Sequence, residues 1–251
     1  MAQITAAILG TNLSYVAFAF IPPILWLLFY LREDKHPEPK LLLLLTFVGG
    51  MASAFVALAG ECLWMVVSSG SCSGGMGANL NPLLLFGVIS LIEEYSKYLP
   101  VRLLVEKRSD FDEPIDAMIY MMTAAMGFAA LENLLFVFPI FRQNIFTGLE
   151  ITTNRFLGAN LLHALSSGIV GFFIARAFFS PKRHHFVALG IILASIFHTL
   201  FNYLILMRGI VAQGTFFLIL LLATMAVMVF IDFEKLKKTP KSADMRRNNA
   251  D

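Results

Sequence analysis

Charged residues are scarce in this sequence, and neither sign predominates. Asp, Glu, Lys and Arg make up 14% of the 251 residues, and the net charge is only +2. So weak a charge excludes a protein that binds nucleic acid through a broad basic surface. Apolar residues reach 58%, and the mean hydropathy is +0.74. A soluble domain of this length could not bury so much apolar surface, so the composition indicates a membrane protein.

Cysteine is also rare, with Cys62 and Cys72 as the two examples. They form neither a CxxC pair nor a Cys/His spacing typical of a zinc site. Cys62 falls in an apolar run and Cys72 in a Gly/Ser-rich connection, and we expect two free thiols rather than a disulfide. The amino-terminal end lacks a basic region, and its first apolar run ends in a charged stretch. This pattern predicts a retained span rather than a cleaved signal peptide.

Long apolar runs dominate the rest of the chain. A helix needs roughly 20 apolar residues to cross the hydrocarbon, and continuous rather than alternating runs exclude membrane strands. The sequence therefore predicts an all-α, polytopic membrane helix bundle of about seven transmembrane helices. The predicted spans cover approximately residues 12–31, 41–67, 81–105, 115–138, 158–179, 185–207 and 211–231. The mixed segment 139–157 is predicted to be a connection.

Basic residues are concentrated in alternate connections. Lys and Arg follow the first, third, fifth and seventh predicted spans, whereas the opposite connections hold only Arg142, Arg155 and Arg208. The positive-inside rule then places the N-terminus outside and the C-terminus in the cytoplasm. Residues 1–233 are expected to form one transmembrane domain. Residues 234–251 are expected to form a polar, disordered cytoplasmic tail.

A few ionisable side chains interrupt the predicted spans. Each costs on the order of 3 kcal/mol at membrane depth, so it needs a partner or a role. The third span contains Glu93, Glu94 and Lys97, and at about 100° per residue the three project onto one arc. The next three spans contain Glu132 with Asn133, then His163, then His198 with Asn202.

Helix geometry places these groups at similar depths. A rise of about 1.5 Å per residue puts the four costly groups roughly 8 to 17 Å below the outer ends of their spans. Four independent accidents would not agree in depth, so the pattern indicates one water-accessible cavity in the outer half of the bilayer. Asp116, by contrast, lies near the cytoplasmic end of the fourth span and is interpreted as interfacial.

A purely structural interpretation competes with this one. Single buried histidines in membrane bundles commonly form hydrogen bonds between helices, and Glu93 with Lys97 could form a neutral pair. That pair leaves Glu94 and Glu132 without a cation. Some carboxyl groups must then be protonated, hydrated or bound to a metal. Glu61, in the second span, either lines the same cavity or reaches outward to the interface.

Two chemistries fit such a set of residues. A glutamate could act as general base on a water molecule while the histidines stabilise the oxyanion. Alternatively, the histidines and a carboxylate could bind a divalent metal such as zinc, as in catalytic zinc sites. The sequence has no GxSG, GxGD or HExxH motif, which disfavours the serine, aspartyl and zinc-helix classes of intramembrane protease.

The motifs resemble those of the PrsW family of intramembrane proteases, which is related to the group that contains the CAAX prenyl proteases. The resemblance covers about residues 20–205, with the motifs in the family's order on successive spans. The matching segments are the charged loop Arg32–Pro39, Glu93–Lys97 (EExxK), Phe128–Asn133 (FxxxEN), His163 followed by Gly168 and Gly171, and His198–Asn202 (HxxxN).

The resemblance implies cleavage of a membrane-anchored protein, typified by the site-1-type cut of an anti-sigma factor. The catalytic or metal-binding residues that it implies are Glu93, Glu94, Glu132, His163 and His198. We predict that Glu93 or Glu94 activates the water and that Lys97 keeps the second carboxylate charged. Asn133 and Asn202 are predicted to orient their neighbours or the substrate carbonyl. A zinc ion, where one is used, is predicted to be bound by Glu132, His163 and His198.

These expectations describe an intramembrane endopeptidase of glutamic or metallo type in a bacterial inner membrane. Its partner is a membrane-anchored protein rather than a nucleic acid. An ion- or proton-coupled transporter is one alternative, but it predicts inverted repeats or broken helices, which the sequence does not show. A non-catalytic sensor that binds membrane helices is the other.

Overall fold

The computed structural model describes residues 2–72, 80–141, 144–178, 180, 182–208, 210 and 213–239. All regular structure in these ranges is helical, which confirms the predicted all-α class. A 3₁₀ turn at Leu31–Glu33 follows the first helix, and a π-helical turn at Val101–Val105 continues the third. The α-helices are α1 (Ala2–Tyr30), α2 (Lys40–Ser69), α3 (Pro82–Pro100), α4 (Pro114–Phe141), α5 (Ile145–Leu157), α6 (Ala159–Arg176), α7 (Arg183–Met207) and α8 (Gly214–Leu236).

Six stretches in the described residues are long and apolar enough to cross a membrane. They are Val16–Glu33, Lys40–Ser69, Pro114–Phe136, Phe146–Arg176, Arg183–Met207 and Gly214–Leu236. Helix α3 is too highly charged to meet the same criterion because it carries Glu93, Glu94 and Lys97, all of which are buried inside the protein. The expected bundle of about seven spans thus consists of these six stretches and α3.

Helix α5 contradicts one prediction. Residues 139–157 are not simply a connection, because Ile145–Leu157 form a helix that leads through Gly158 into α6. The Asn144 side chain caps this helix by accepting hydrogen bonds from the amides of Phe146 and Thr147, as an N-cap residue does. Since the segment mixes polar and apolar residues, it shows no long apolar run.

Helix α4 forms the centre of the bundle, since every residue from 114 to 131 is buried. Two glycines let neighbouring helices approach it closely. A Cβ atom on Gly127 would overlap the carbonyl oxygen of Phe47 in α2, and one on Gly171 in α6 would lie 2.6 Å from Met118 Cα. Close contact through small residues is typical of membrane helices. It fixes α2 and α6 on either side of the polar motif of α4.

Cys62 and Cys72 form a disulfide bond, so the prediction of two free thiols is wrong. Gly70 ends α2 with a φ of +80°, in the left-handed region that glycine adopts without a steric penalty. The chain reverses there and brings the two cysteine Cα atoms to 4.8 Å. The spacing of the cysteines in the sequence did not reveal this reversal.

At the far end of the bundle, α8 continues to Leu236, three residues into the predicted tail. Lys237 Nζ lies 2.5 Å from Glu33 Oε2 and 2.7 Å from Glu234 Oε1. These contacts hold the end of α8 beside the end of α1. Residues 240–251 of the predicted tail lie outside the described residues.

The connection between α1 and α2 folds against the start of α4. The Tyr120 hydroxyl donates a hydrogen bond of 2.5 Å to Glu38 Oε2, and the carboxyl groups of Glu38 and Asp116 lie within hydrogen-bonding reach of each other. His36 Nδ1 lies 2.9 Å from Glu113 Oε1. We call this set of contacts the carboxyl clasp, and its residues are Asp34, His36, Glu38, Glu113, Asp116 and Tyr120.

The carboxyl clasp buries its acidic groups without a strong cation. No Lys or Arg of the described residues forms an ion pair with Asp34, Glu38 or Asp116. Burial raises the pKa of Glu38 and the pKa of Asp34 above their usual values. A hydrogen bond between two carboxyl groups also requires a proton on one of them. A shared proton and the Tyr120 hydroxyl therefore stabilise these buried acids, a role that Lys or Arg side chains fill in most buried ion pairs.

Candidate active site

The ionisable residues of the predicted spans meet inside the bundle. They come from four helices that are distant in sequence but adjacent in space. The residues brought together are Glu93, Glu94 and Lys97 of α3, Glu132 of α4, His163 of α6 and His198 of α7. The His163 and His198 rings lie edge to face with their centroids 5.3 Å apart.

Glu94 is the most enclosed acid of the group. Its side chain is 0% exposed, as is that of Lys97. Glu94 Oε1 accepts hydrogen bonds from Lys97 Nζ at 2.8 Å, His198 Nδ1 at 2.8 Å and Ser166 Oγ at 3.0 Å. A buried ion pair persists only when further hydrogen bonds satisfy both charges. Glu94 therefore orients His198 and does not face the space where a substrate could lie.

His163 is held from both sides of its ring. Lys97 Nζ, which can only donate, lies 2.8 Å from His163 Nδ1, so this nitrogen accepts. The hydrogen of a neutral ring is then on Nε2, which donates to Glu132 Oε2 over 2.7 Å. The Lys97 contact thus sets the tautomer, and Glu132 sets the orientation of the ring.

Glu93 differs from Glu94 in its surroundings. Glu93 Oε2 lies 3.5 Å from Lys97 Nζ and 3.8 Å from His198 Nε2. This oxygen, like Glu94 Oε2, is buried and has no hydrogen-bond partner among the described residues, but Glu93 also reaches the cavity. One ligand-type atom each from Glu93, His163 and His198 lies within 4.8 Å of the other two.

The trio Glu93, His163 and His198 fits a divalent metal by its chemistry. Catalytic zinc sites combine imidazole nitrogens with a carboxylate oxygen. In such sites the second ring nitrogen usually donates to a carboxylate, and here His198 donates to Glu94 and His163 donates to Glu132. His198 Nε2 is then available to a metal, whereas His163 Nδ1 would have to exchange its contact with Lys97 Nζ for the metal. A cation would also satisfy the unpartnered Glu93 oxygen. The trio differs from the predicted ligand set because Glu93 stands in place of Glu132.

A cavity of about 750 Å³ opens beside these residues. Its wall is mainly apolar and is formed by residues of all the helices from α2 to α8, such as Ala57, Phe86, Phe128 and Leu222, with Arg155 of α5 among the polar ones. Four members of the ionisable group reach it, namely Glu93, Glu132, His163 and His198, whereas Glu94 and Lys97 do not. The cavity therefore provides an apolar channel that ends at carboxylates and imidazoles.

The other predicted residues fall around this cavity. Asn202 lines it, and so does Glu61, which decides between the two interpretations of that residue. Asn133 does not line it but ties helices together, because its Nδ2 donates to Ala19 O of α1 and to Asn160 Oδ1 of α6. Asn133 is accordingly a structural contact behind Glu132.

Sequence analysis missed Arg155. Its Nη2 lies 3.0 Å from Glu132 Oε2, and its Nε donates to Asn133 Oδ1 over 2.6 Å. The positive-inside count treats this residue as one of a few arginines in an outer connection. The sequence signal that could have found it is Asn144, a residue type that favours the start of a helix. A helix that begins there includes Arg155.

Carboxylates and imidazoles at the end of an apolar cavity, within a bundle of membrane-spanning helices, are the features of a membrane-embedded hydrolase. The model of the family described as PrsW family intramembrane metalloprotease matches residues 38–231. The match covers more than half of the chain, so the chain belongs to the PrsW family of intramembrane metalloproteases. It is therefore an intramembrane protease, as the motif resemblance implied.

Curated relatives agree with this assignment. Protease PrsW of Geobacillus kaustophilus is 29% identical over 187 residues, which are 72% of this chain and 74% of that protein. Protease PrsW of Clostridioides difficile is 25% identical over 224 residues, 87% of this chain and 88% of that protein. The Bacillus subtilis protein of the same name is 27% identical over 179 residues, 70% and 75% of the two chains. No solved structure matches the chain.

The family and the helices together define a multi-pass bacterial membrane protein. A protease of this family acts on a membrane protein, so the substrate class follows at that level. The predicted transporter and sensor functions gain no support from these relatives, which are named as proteases.

Proposed function

We propose that the chain cleaves a peptide bond of a membrane-anchored protein at the Glu93, His163 and His198 centre, with Glu132 as general base. The observation that carries the proposal is the contrast between the two adjacent acids of α3. Glu93 reaches the cavity and both imidazoles, whereas Glu94 is enclosed and bonded to Lys97. Only the former can contact a substrate or a metal without a rearrangement of the helices.

Glu93, His163 and His198 are the residues that would hold a zinc ion, with His163 Nδ1 exchanging its contact with Lys97 Nζ for the metal. A bound zinc would polarise the scissile carbonyl and make the attacking water more acidic. The chain's own part is to place the ligands: Glu94 fixes one ring, and Glu132 fixes the other. Outer contacts of this kind typically change metal affinity or activity by about 10- to 100-fold when they are removed.

Glu132 is suited to the proton transfers. Both of its contacts within the described residues are made by Oε2, and its side chain is 22% exposed on the cavity wall. Oε1 is therefore free to take a proton from the attacking water and to deliver it to the leaving amine as the C–N bond breaks. This assignment exchanges the roles of Glu93 and Glu132 relative to the interpretation from sequence.

The substrate that suits the cavity is an extended apolar segment next to a membrane anchor. Its side chains would contact the apolar wall, and the Asn202 amide, which lines the cavity, would bind its backbone. With the orientation that the positive-inside rule predicts, the site would lie in the outer half of the bacterial cell membrane. The cut would then fall on the extracytoplasmic side, as in a site-1-type cleavage of an anti-sigma factor.

The test separates ligands from the base by measuring metal and cleavage in the same samples. The protein and its variants are purified in nanodiscs, their metal content is measured by mass spectrometry, and they are assayed on single-span reporter proteins. Glu93→Gln and His198→Asn should lose both metal and cleavage. Glu132→Gln should keep most of the metal and lower kcat by about 10² to 10⁴-fold, the usual contribution of a general base.

Glu150→Gln is the matched control, since Glu150 is an exposed glutamate outside the cavity. It should retain both metal and cleavage. Metal retained by Glu93→Gln but lost by Glu132→Gln would reverse the proposed roles. Full cleavage by both variants would remove the centre from the mechanism.

A further inference from the structure

Helix α5 contributes a cationic side chain, Arg155, to the site, and this residue belongs to none of the sequence motifs. Arg155 is two residues from the end of α5, and its side chain is 15% exposed. We infer that Arg155 is a positioning residue for the reaction, which holds Glu132 against His163. This inference rests on the proposed roles of Glu132 and His163. Its consequence is that the site is complete only when α5 is docked on α4.

The first argument is that two partners share one oxygen atom. Glu132 Oε2 lies 2.7 Å from His163 Nε2 and 3.0 Å from Arg155 Nη2. A partly exposed carboxylate beside a cavity can rotate toward water, which would release the His163 ring. The Arg155 guanidinium forms an ion pair with Oε2, and opposite charges at this distance attract each other strongly in a partly buried site. This attraction keeps Oε2 on the ring and leaves Oε1 toward the cavity.

The second argument is that the guanidinium itself cannot move freely. Its Nε donates to Asn133 Oδ1 over 2.6 Å, and Asn133 is bonded in turn to Ala19 O and Asn160 Oδ1. The Phe136 ring lies 5.1 Å from the guanidinium carbon. Each of these contacts constrains one side of the planar group.

The third argument is that α5 is tied to the bundle close to Arg155. The Trp26 indole of α1 donates to Phe156 O, the neighbouring residue, over 2.9 Å. The end of α5 is therefore bonded to α1 through its backbone and to α4 through Arg155. Elsewhere on α5, Phe146 is 79% exposed, so the firm attachment lies at the end next to the site.

A second arginine–glutamate pair serves as an internal reference. Arg183 Nη2 lies 2.8 Å from Glu106 Oε1, and Arg102 Nη1 lies 2.6 Å from Glu106 Oε2. The Arg183–Glu106 pair links α7 to the end of the π-helical turn after α3. It contacts no residue of the active site. Loss of Arg183 therefore reports what the loss of an arginine–carboxylate contact does to folding alone.

The expected effects follow from the position of Arg155 outside the reacting atoms. Arg155→Gln should lower kcat by about 10- to 100-fold with little change in KM, as removal of an orienting partner does. Arg155→Lys keeps the positive charge and should recover much of the loss. Arg183→Gln should leave kcat within a few-fold of the unmodified protein.

The decisive experiment observes the His163 ring directly. Solid-state NMR of the full chain with ¹⁵N-labelled histidine, in lipid bilayers, should show a hydrogen-bonded Nε2–H signal that His163→Asn removes. Arg155→Gln and Glu132→Gln should both shift this signal and speed its exchange with water, whereas Arg155→Lys and Arg183→Gln should leave it in place. Competition for Zn²⁺ with a chelator, on the same samples, should show weaker binding in Arg155→Gln.

The outcomes separate the two proposals. An unchanged signal and unchanged kcat in Arg155→Gln would show that the contact is a plain structural ion pair, and the inference would fall. An altered signal with full cleavage would keep the contact but remove Glu132 and His163 from catalysis, so the proposed function would fall instead. If the double variant Arg155→Gln/Glu132→Gln bound Zn²⁺ more weakly than Glu132→Gln alone, Arg155 would not act through Glu132.

Discussion

Helix α4 carries the buried Asp116 in its first turn and the partly exposed Glu132 toward its other end, and the two carboxyl groups have different partners. Glu132 faces Arg155 and His163, with Lys97 on the other side of that ring. Asp116 faces Glu38, a second acid, and Tyr120 adds a hydroxyl. The two positions are about 24 Å apart along the helix. Cationic side chains stabilise the carboxylate in the active site, whereas a shared proton stabilises the acids of the carboxyl clasp.

The difference follows from what each region does. Cations keep a carboxylate ionised and therefore able to accept a proton or bind a metal, so the charged network suits a reaction centre. A carboxyl pair that shares a proton has no such capacity, but it joins two segments while burying one negative charge instead of two. Helix α4 thus contributes to the active site at one end and holds the α1–α2 connection in place at the other.

The largest effect is expected from removal of the central cation of the active site. Lys97→Met leaves Glu94 buried without its ion-pair partner, a change that typically costs about 3 to 5 kcal/mol. It also removes the donor that fixes the His163 tautomer. We expect a strongly lowered unfolding temperature and no detectable cleavage, measured by thermal unfolding in detergent and by reporter cleavage.

Glu38→Gln is the contrasting variant in the carboxyl clasp. A carboxamide has nearly the shape of a protonated carboxyl group and can still accept from Tyr120, so the change should be small. A loss of stability as large as that of Lys97→Met would show that Glu38 is held as an anion. The proposed contrast between the two regions would then be lost.

The spans and the site residues were predictable because each leaves a local signal. Runs of apolar residues gave the membrane helices, and costly groups such as Glu93 and His198 are conspicuous within them. Their convergence required only helix rise and period. The carboxyl clasp left no such signal, because Glu38 and Tyr120 are 82 residues apart and hydrophobic periodicity does not report which polar groups pair across the chain.

Arg155 and the disulfide escaped prediction for related reasons. Arg155 lies on a helix of mixed polarity, so a hydropathy window does not separate it from a connection. Sequence analysis identified Glu132 as a site residue but did not identify Arg155 as the cation that pairs with it. The Cys62–Cys72 bond depends on a backbone reversal at Gly70, and a single glycine in a Gly/Ser-rich segment does not indicate where the chain turns.

A moderate effect is expected from pH at the carboxyl clasp. Burial raises the pKa of Glu38 above the usual 4.5, so its contribution to stability is present below about pH 4.5 and is lost as pH rises through the higher, folded-state pKa. Asp34 acts in the same direction. Hydrogen exchange of residues 34–39 should therefore become faster with increasing pH, beyond the intrinsic rate.

The groups around Glu38 define the control. Asp34, Asp112, Asp116 and Tyr120 are the titratable neighbours that influence it, and all of them are neutral or negative. Glu38→Gln should flatten the pH dependence, while a change at Glu93 should not affect it. A clasp that tightens as pH rises would contradict proton sharing between these acids.

The smallest effect is expected from Tyr120→Phe. The variant removes one hydroxyl and its hydrogen bond to Glu38, which should cost about 1 kcal/mol, and the ring remains packed against Phe111, 6.4 Å away between centroids. Because the hydroxyl lowers the pKa of Glu38, its loss should move the pH at which the clasp loosens upward. Hydrogen exchange of residues 34–39 in Tyr120→Phe, compared with the unmodified chain across the same pH series, measures that shift. A downward shift would mean that the hydroxyl accepts a hydrogen bond from protonated Glu38 and so raises its pKa, rather than donating one to the carboxylate.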